Sequence, residues 1–242
     1  AASDVYKRQL NVFLSDSSPL AATANANSTH NVDEMFSLLA TAGEGMDICE
    51  LCGGEGRTTK LAIRRRLKTG RNFDLVTGVD LNTRDNQEKV LRYIERNHVL
   101  VVIMAPTCAP FGPMSHLVKH VSPEGWAASY AQAAPHGKFC ARAASLQLER
   151  GRHFMVEQPY PSALFNLDPW PKVLKQPQVT AVIWDRCQTG LRASDGRLAK
   201  KRSMMVASDP LLTQPFDNRI CTNRHEHTSV SYTHLTLPTM LM

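Results

Sequence analysis

Long hydrophobic runs are missing from this sequence. The longest, Val99 to Pro106, falls far short of the roughly 20 apolar residues that a bilayer span needs. No membrane-crossing helix is therefore expected. No basic stretch followed by a long apolar segment opens the chain, so no secretory signal is expected. A regular cysteine spacing is missing too. Six cysteines scattered over 242 residues do not make a disulfide framework, and a reducing compartment is expected. Strong charge imbalance is absent: 28 Lys and Arg face 22 Asp and Glu, a net +6. That balance permits a polyanionic partner without demanding one. No internal repeat is visible, and 43% hydrophobic with 21% charged residues is ordinary globular usage. Disordered, collagen-like and coiled-coil classes are excluded, and the length suffices for a full core.

What is present divides into flanks and a patterned middle. Ala1 to Gln9 reads AASDVYKRQ and Val230 to Thr239 reads VSYTHLTLPT. Both strings resemble translated sequencing-adaptor read-through and are set aside from fold reasoning. The natural segment is expected over Leu10 to Ser229, cut at both ends. Ser15 to Thr29 is rich in Ser, Ala and Asn, as in linkers. The expected division is a linker and non-native N-terminus over 1–31, one domain over 32–220, and a polar tail with a non-native C-terminus over 221–242.

Within the domain, apolar spacing alternates between strand and helix patterns. Val32 to Ala42 has helical spacing. Met46 to Cys52 reads as a buried strand entering a tight turn at Gly53 and Gly54. Thr58 to Leu67 reads as a helix with Leu61, Ile63 and Leu67 inside. Phe73 to Val79 reads as a second strand closed by Asp80, and Asp85 to Asn97 as a helix. Val99 to Met104 is the strongest strand, ending at Ala105-Pro106. Trp126 to Arg150 is a helical pattern interrupted by Pro135. His153 to Val156 is a strand ending at Glu157. Val179 to Trp184 and Ser203 to Ala207 form a late strand pair joined through Gly190 and Gly196. Such alternation predicts an α/β fold: a Rossmann-like, doubly wound, mostly parallel sheet with a late antiparallel pair and helices on both faces.

Ligands of such sheets gather beyond the carboxyl ends of the strands. The unusual residues fall there: Gly53-Gly54-Glu55-Gly56, Asp80, Pro106-Thr107-Cys108 and Glu157-Gln158-Pro159. A turn of Gly53, Gly54 and Gly56 lets backbone approach a ligand closely. Asp80 can accept from two ribose hydroxyls; the competing role is to cap the next helix. A nicotinamide dinucleotide is one candidate ligand, but its third fingerprint glycine is replaced by Thr59, and Glu50 is ill-placed beside a pyrophosphate. A carboxylate there suits the sulfonium and amino group of S-adenosylmethionine better. Cys108, on a loop stiffened by Pro110 and Pro113, is placed to be a nucleophile, or else a small buried hydrophobe. Glu157, locked by Pro159 and Pro161, is placed as an acid toward a ring nitrogen, or as an ion-paired carboxylate.

These residues together resemble the catalytic domain of cytosine-C5 DNA methyltransferases. Asp47 to Gly56 (DICELCGGEG) resembles the family's first motif. Pro106-Thr107-Cys108-Ala109-Pro110-Phe111-Gly112 is similar to its nucleophile loop, with Thr107 for a Pro and Gly112 for a Ser. Glu157-Gln158-Pro159 resembles its Glu-Asn-Val, and Lys200-Lys201-Arg202-Ser203 before a strand resembles its late basic motif. The likeness runs from Asp47 to Ser208. It implies S-adenosylmethionine as cofactor, DNA as partner, and a nuclear setting. Cys108 would be the nucleophile, Glu157 the partner of N3, and Arg202 the group that orients the base. Asp80 would hold the ribose, and Glu50, Gly53, Gly54, Gly56 and Pro106 would line the cofactor. The chain also resembles methyltransferase-like modules of retroelement-type polyproteins. That leaves open a degenerate module of a longer polypeptide that binds nucleic acid or cofactor without turnover.

Two cysteine patterns remain. Cys49-x-x-Cys52 lies inside an expected strand and reads as core packing. Cys221-x3-His225-x-His227 offers three ligand types, with Cys187 a possible fourth. Three ligands without a fixed fourth fall short of a zinc site, so a polar loop and no metal are expected.

Overall fold

The computed structural model describes residues 45–193 and 195–228. The helix expected over Val32 to Ala42 and both adaptor-like ends lie outside the described residues. The strands are β1 (Ile48–Leu51), β2 (Thr69–Phe73), β3 (Val101–Met104), β4 (His153–Pro159), β5 (Thr180–Asp185) and β6 (Arg202–Ala207). They form one sheet in the order β2-β1-β3-β4-β6-β5. The pairings among β2, β1, β3 and β4 are parallel, and β6 runs antiparallel between β4 and β5. The helices are α1 (Arg57–Arg64), α2 (Arg84–Arg96), α3 (Ser115–Val121), α4 (Pro123–Glu149), α5 (Trp170–Leu174) and α6 (Pro210–Thr213). The fold is α/β and Rossmann-like, as the pattern predicts. Among the described residues, no helix is long and apolar enough to cross a membrane.

Helices cover both faces, so β1 is buried at every residue, as a parallel strand between two layers must be. Side chains alternate between the faces. Cys49, Leu51, Val102, Met104, Phe154 and Val156 join Val90 and Ile94 of α2 and the alanines of α4 in the larger core. Ile48, Val101, Met155, Met205 and Ala207 face the other way, against Ala62 of α1 and Leu212 of α6. The alternation matters for function because it puts Glu50, Ile103, Glu157 and Ser203 on this second face.

The structure departs from the sequence reading at several elements. The second strand is Thr69–Phe73, not Phe73 to Val79. Asp74 ends it by capping a 3-10 turn over Leu75–Thr77 with a reciprocal Asp74–Thr77 capping box. Leu75 and Val76 are left exposed. In α1 the inward residues are Thr58 and Ala62, one turn apart, while Ile63 is exposed because it lies about 100° further round. α4 continues through Pro135 over 27 residues. β4 runs on through Glu157 to Pro159, because β6 supplies partners for these positions. The chain beyond 220, expected as a tail, is anchored as far as Thr228, whose N–H donates to the Leu198 carbonyl at 2.9 Å.

Candidate active site

β1 delivers the glycine turn. Cys52, Gly54 and Gly56 take left-handed backbone angles, with φ of 56°, 56° and 62°, and Gly56 starts α1. At Gly53 the constraint is steric: a Cβ would lie 2.3 Å from Asn72 Oδ1 and 2.6 Å from Glu50 Oε2. Glu50 is 4% exposed. Its Oε1 accepts from the Thr59 N–H at 2.5 Å and from the Thr59 hydroxyl at 2.6 Å. The first turn of α1 is therefore already answered by a carboxylate, the charge that a helix N-terminus attracts. The Asn72 amide donates to the Gly54 carbonyl at 2.5 Å, while Asn72 Oδ1 is buried without a hydrogen-bond donor. A small pocket opens here, lined by Glu50, Gly53, Arg57, Thr58, Ile103 and Ala105.

Asp80 is not at the strand end. Asp74 is: its Oδ2 accepts from the Gly54 N–H at 2.8 Å. Asp80 lies in the turn before α2, its Oδ1 accepting from Asn82 N–H at 2.9 Å, while the cap of α2 is Thr83, whose hydroxyl accepts from the Asn86 N–H at 3.4 Å. Both carboxylates raise the affinity of His136 on α4 for a proton, although burial, the larger effect, holds its pKa below the usual range. Cys49 and Cys52 belong to the larger core, and burial pushes the Cys49 thiol far up.

β3 delivers Cys108. After Met104 the chain passes Ala105 and buried Pro106 into a turn in which the Cys108 carbonyl accepts from the N–H groups of Phe111 and Gly112, at 3.0 and 2.9 Å. Gln158 fixes this loop to β4: its Nε2 donates to the Pro106 carbonyl at 2.8 Å, and its Oε1 accepts from the Ser162 hydroxyl at 3.1 Å. Of the six cysteines, five are buried and Cys108 is half-buried.

β4 delivers Glu157, 4% exposed, against the guanidinium of Arg186, 1% exposed. Arg186 Nε also donates to the Ser203 hydroxyl at 2.5 Å. Lys201 borders the cluster. Its ammonium pKa is lowered to about 7, by burial first and by Arg186 next, while Cys108 and Glu157 pull the other way. Arg202, expected to orient the base, points elsewhere. It forms a two-pronged pair with Asp185, Nε to Oδ1 at 3.0 Å and Nη2 to Oδ2 at 3.1 Å. The antiparallel register explains this, since Asp185 is paired with Arg202 and Pro159 with Ser203. The arginine that meets Glu157 is thus Arg186. Its only sequence signal was its place directly after β5.

The groups converge because of strand order. Glu50 pairs across to Ile103, and Ile103 to Met155, so Glu157 lies on the same face as Glu50, two strands over and two residues further along. Strand spacing and rise put their Cα atoms roughly 12 Å apart. The Cys108 loop leaves β3 between them. Family models and curated proteins were both compared with the chain, and none matches.

Proposed function

We propose that this chain transfers a methyl group from S-adenosylmethionine to C5 of cytosine in DNA, with Cys108 as the nucleophile. One observation carries the reading. Glu50 beside the glycine pocket and Glu157 with buried Arg186 and half-buried Lys201 share a face toward the carboxyl ends of β1 and β4, and the Cys108 loop emerges from the strand between them.

S-adenosylmethionine supplies, when bound, an electrophilic methyl on a sulfonium. Glu50 and the unpartnered Asn72 Oδ1 are acceptors suited to its positive charge and amino group. The same Glu50 opposes the pyrophosphate of a dinucleotide at α1, which counts against hydride transfer. At the base, the Cys108 thiolate forms a bond to C6, and negative charge passes to ring N3 and O2. Arg186 and Lys201 offer positive charge where it develops, and Glu157 meets the N3 edge. C5 would then take the methyl as the donor's carbon–sulfur bond breaks, the electron pair returning to sulfur and neutral S-adenosylhomocysteine leaving. Transfer of the C5 proton to water and elimination of Cys108 from C6 would restore the aromatic ring and the free thiolate. The target base must leave the duplex to reach these groups. The exposed basic run Arg64, Arg65, Arg66, Lys68 and Arg71 suits phosphate contact, weakened by salt.

A second reading is a module of a longer polypeptide that binds donor or nucleic acid without turnover. The near-complete burial of Glu157 against Arg186 favours it. The two separate in one experiment: methyl-labelled donor is incubated with cytosine-containing duplex DNA, and the DNA is digested for 5-methylcytosine. The methyltransferase reading predicts label in 5-methylcytosine with the wild type and none with Cys108→Ala, both proteins binding donor equally by calorimetry. Donor binding without label supports the second reading, and absence of both donor and DNA binding overturns both.

A further inference from the structure

The strongest cluster outside this site lies just beyond it. Cys187 sits in the 3-10 turn Arg186–Thr189 after β5. Cys221, His225 and His227 come from the segment expected as a polar tail. The ligand-capable atoms of all four lie within 4.8 Å of one another. The fixed fourth ligand that the sequence pattern lacked is therefore delivered by the fold.

We propose that Cys187, Cys221, His225 and His227 form a structural zinc site. The distances fit the chemistry. Zinc bonds of about 2.3 Å to sulfur and about 2.05 Å to nitrogen, at tetrahedral angles, put sulfur and nitrogen about 3.6 Å apart. Cys221 Sγ lies 3.6 Å from His225 Nε2 and 3.4 Å from His227 Nε2. The donor set, two thiolates and two imidazoles, selects a borderline-soft ion over magnesium or calcium. Four protein donors close the coordination sphere, which is the signature of a structural rather than a catalytic ion.

The surroundings are built to hold the ligands. The Asn223 N–H donates to Cys221 Sγ at 3.3 Å, as suits a sulfur carrying negative charge. The Cys221 N–H donates to Asp185 Oδ2 at 2.9 Å, and Asp185 also holds Arg202. The Lys200 ammonium donates to Asn223 Oδ1 at 2.7 Å. The ligand segment closes back on the preceding hairpin through the Ala199–Thr228 bridge. A metal here joins the last described segment to the residue next to Arg186, the partner of Glu157. Its work is to staple a short, loop-rich region that has little core of its own, and the inference stands whether or not the chain transfers methyl groups.

The test is metal content of the purified full chain by mass spectrometry, followed by cobalt titration of protein stripped with a chelator. The proposal predicts one zinc per chain, and a cobalt spectrum with the intense visible bands of tetrahedral coordination and a thiolate charge-transfer band. Cys187→Ser is expected to lose that charge-transfer intensity in part. His227→Gln, the milder change, is expected to weaken metal binding at least tenfold while circular dichroism stays that of a folded protein. Wild-type protein without bound zinc that also fails to give the cobalt bands would overturn the proposal. So would undiminished affinity in His227→Gln, or a Cys187–Cys221 disulfide found by mass.

Discussion

Arg186 and Glu157 meet in an ion pair that is closed to solvent on both sides. Arg186 comes from the turn after β5 and Glu157 from inside β4, so the pair spans the antiparallel strand β6. Removing one member leaves the other as an uncompensated buried charge. Glu157→Ala is expected to cost about 3–5 kcal/mol of stability, whereas replacing both residues with apolar ones of similar volume costs much less. Urea unfolding of the two single variants and the double variant measures the difference.

Lys201 gives a pH signature. Its folded pKa of about 7 lies below the 10.5 of an ordinary solvated lysine, so the unfolded chain holds more protons between these values. Stability from this group therefore rises with pH from about 7 towards 10.5, and the penalty for charging it in the folded state is complete below 7. Lys201→Met is expected to be stabilised relative to wild type at pH 6 and to lose that advantage by pH 10. Unfolding curves at a series of pH values check the sign.

Gly53 and Gly78 make a contrasting pair. Gly53→Ala drives a Cβ to 2.3 Å from Asn72 Oδ1 and 2.6 Å from Glu50 Oε2. It is expected to cost about 1–3 kcal/mol and to abolish donor binding. Gly78→Ala meets nothing within 4 Å but sits at φ +81°, so it costs about 1 kcal/mol from backbone strain alone and leaves donor binding intact. Denaturation and calorimetry on the two variants separate strain from site.

Thiol labelling tests where Cys108 lies. Five of the six cysteines are buried, so the native protein is expected to show one fast-reacting thiol, absent in Cys108→Ser. Gln158→Ala removes the tie to the Pro106 carbonyl. It is expected to accelerate labelling of Cys108 as the loop loosens, at a cost of about 1–3 kcal/mol for the unpaired buried carbonyl. Stopped-flow with an aromatic disulfide reads both rates.

The legible parts of the fold were those in which apolar spacing and burial coincide. β1, β3 and α2 show this: Val90 and Ile94 are one turn apart and both buried. β2 was not legible because the edge strand Thr69–Phe73 is mostly polar and pairs only with β1, while the apolar Leu75 and Val76 face solvent. Of the candidate site, the placements near a strand's carboxyl end were legible: Glu50 inside β1 and Cys108 in the loop after β3. Arg186 was not, since the register of β6 decides which basic residue reaches Glu157, and register is a long-range property. The Cys187 ligand was visible as a residue type but not as a neighbour, for the same reason.

The most direct measurement is a trapping reaction. The chain, S-adenosylmethionine and duplex DNA bearing 5-fluorocytosine are combined, denatured, and mapped by peptide mass spectrometry. Fluorine at C5 blocks the proton loss that would release the enzyme. The account predicts a cross-linked species that depends on the donor and carries the base on the Cys108 peptide. Bound donor and DNA with no cross-link, or a cross-link on any other residue, would contradict it.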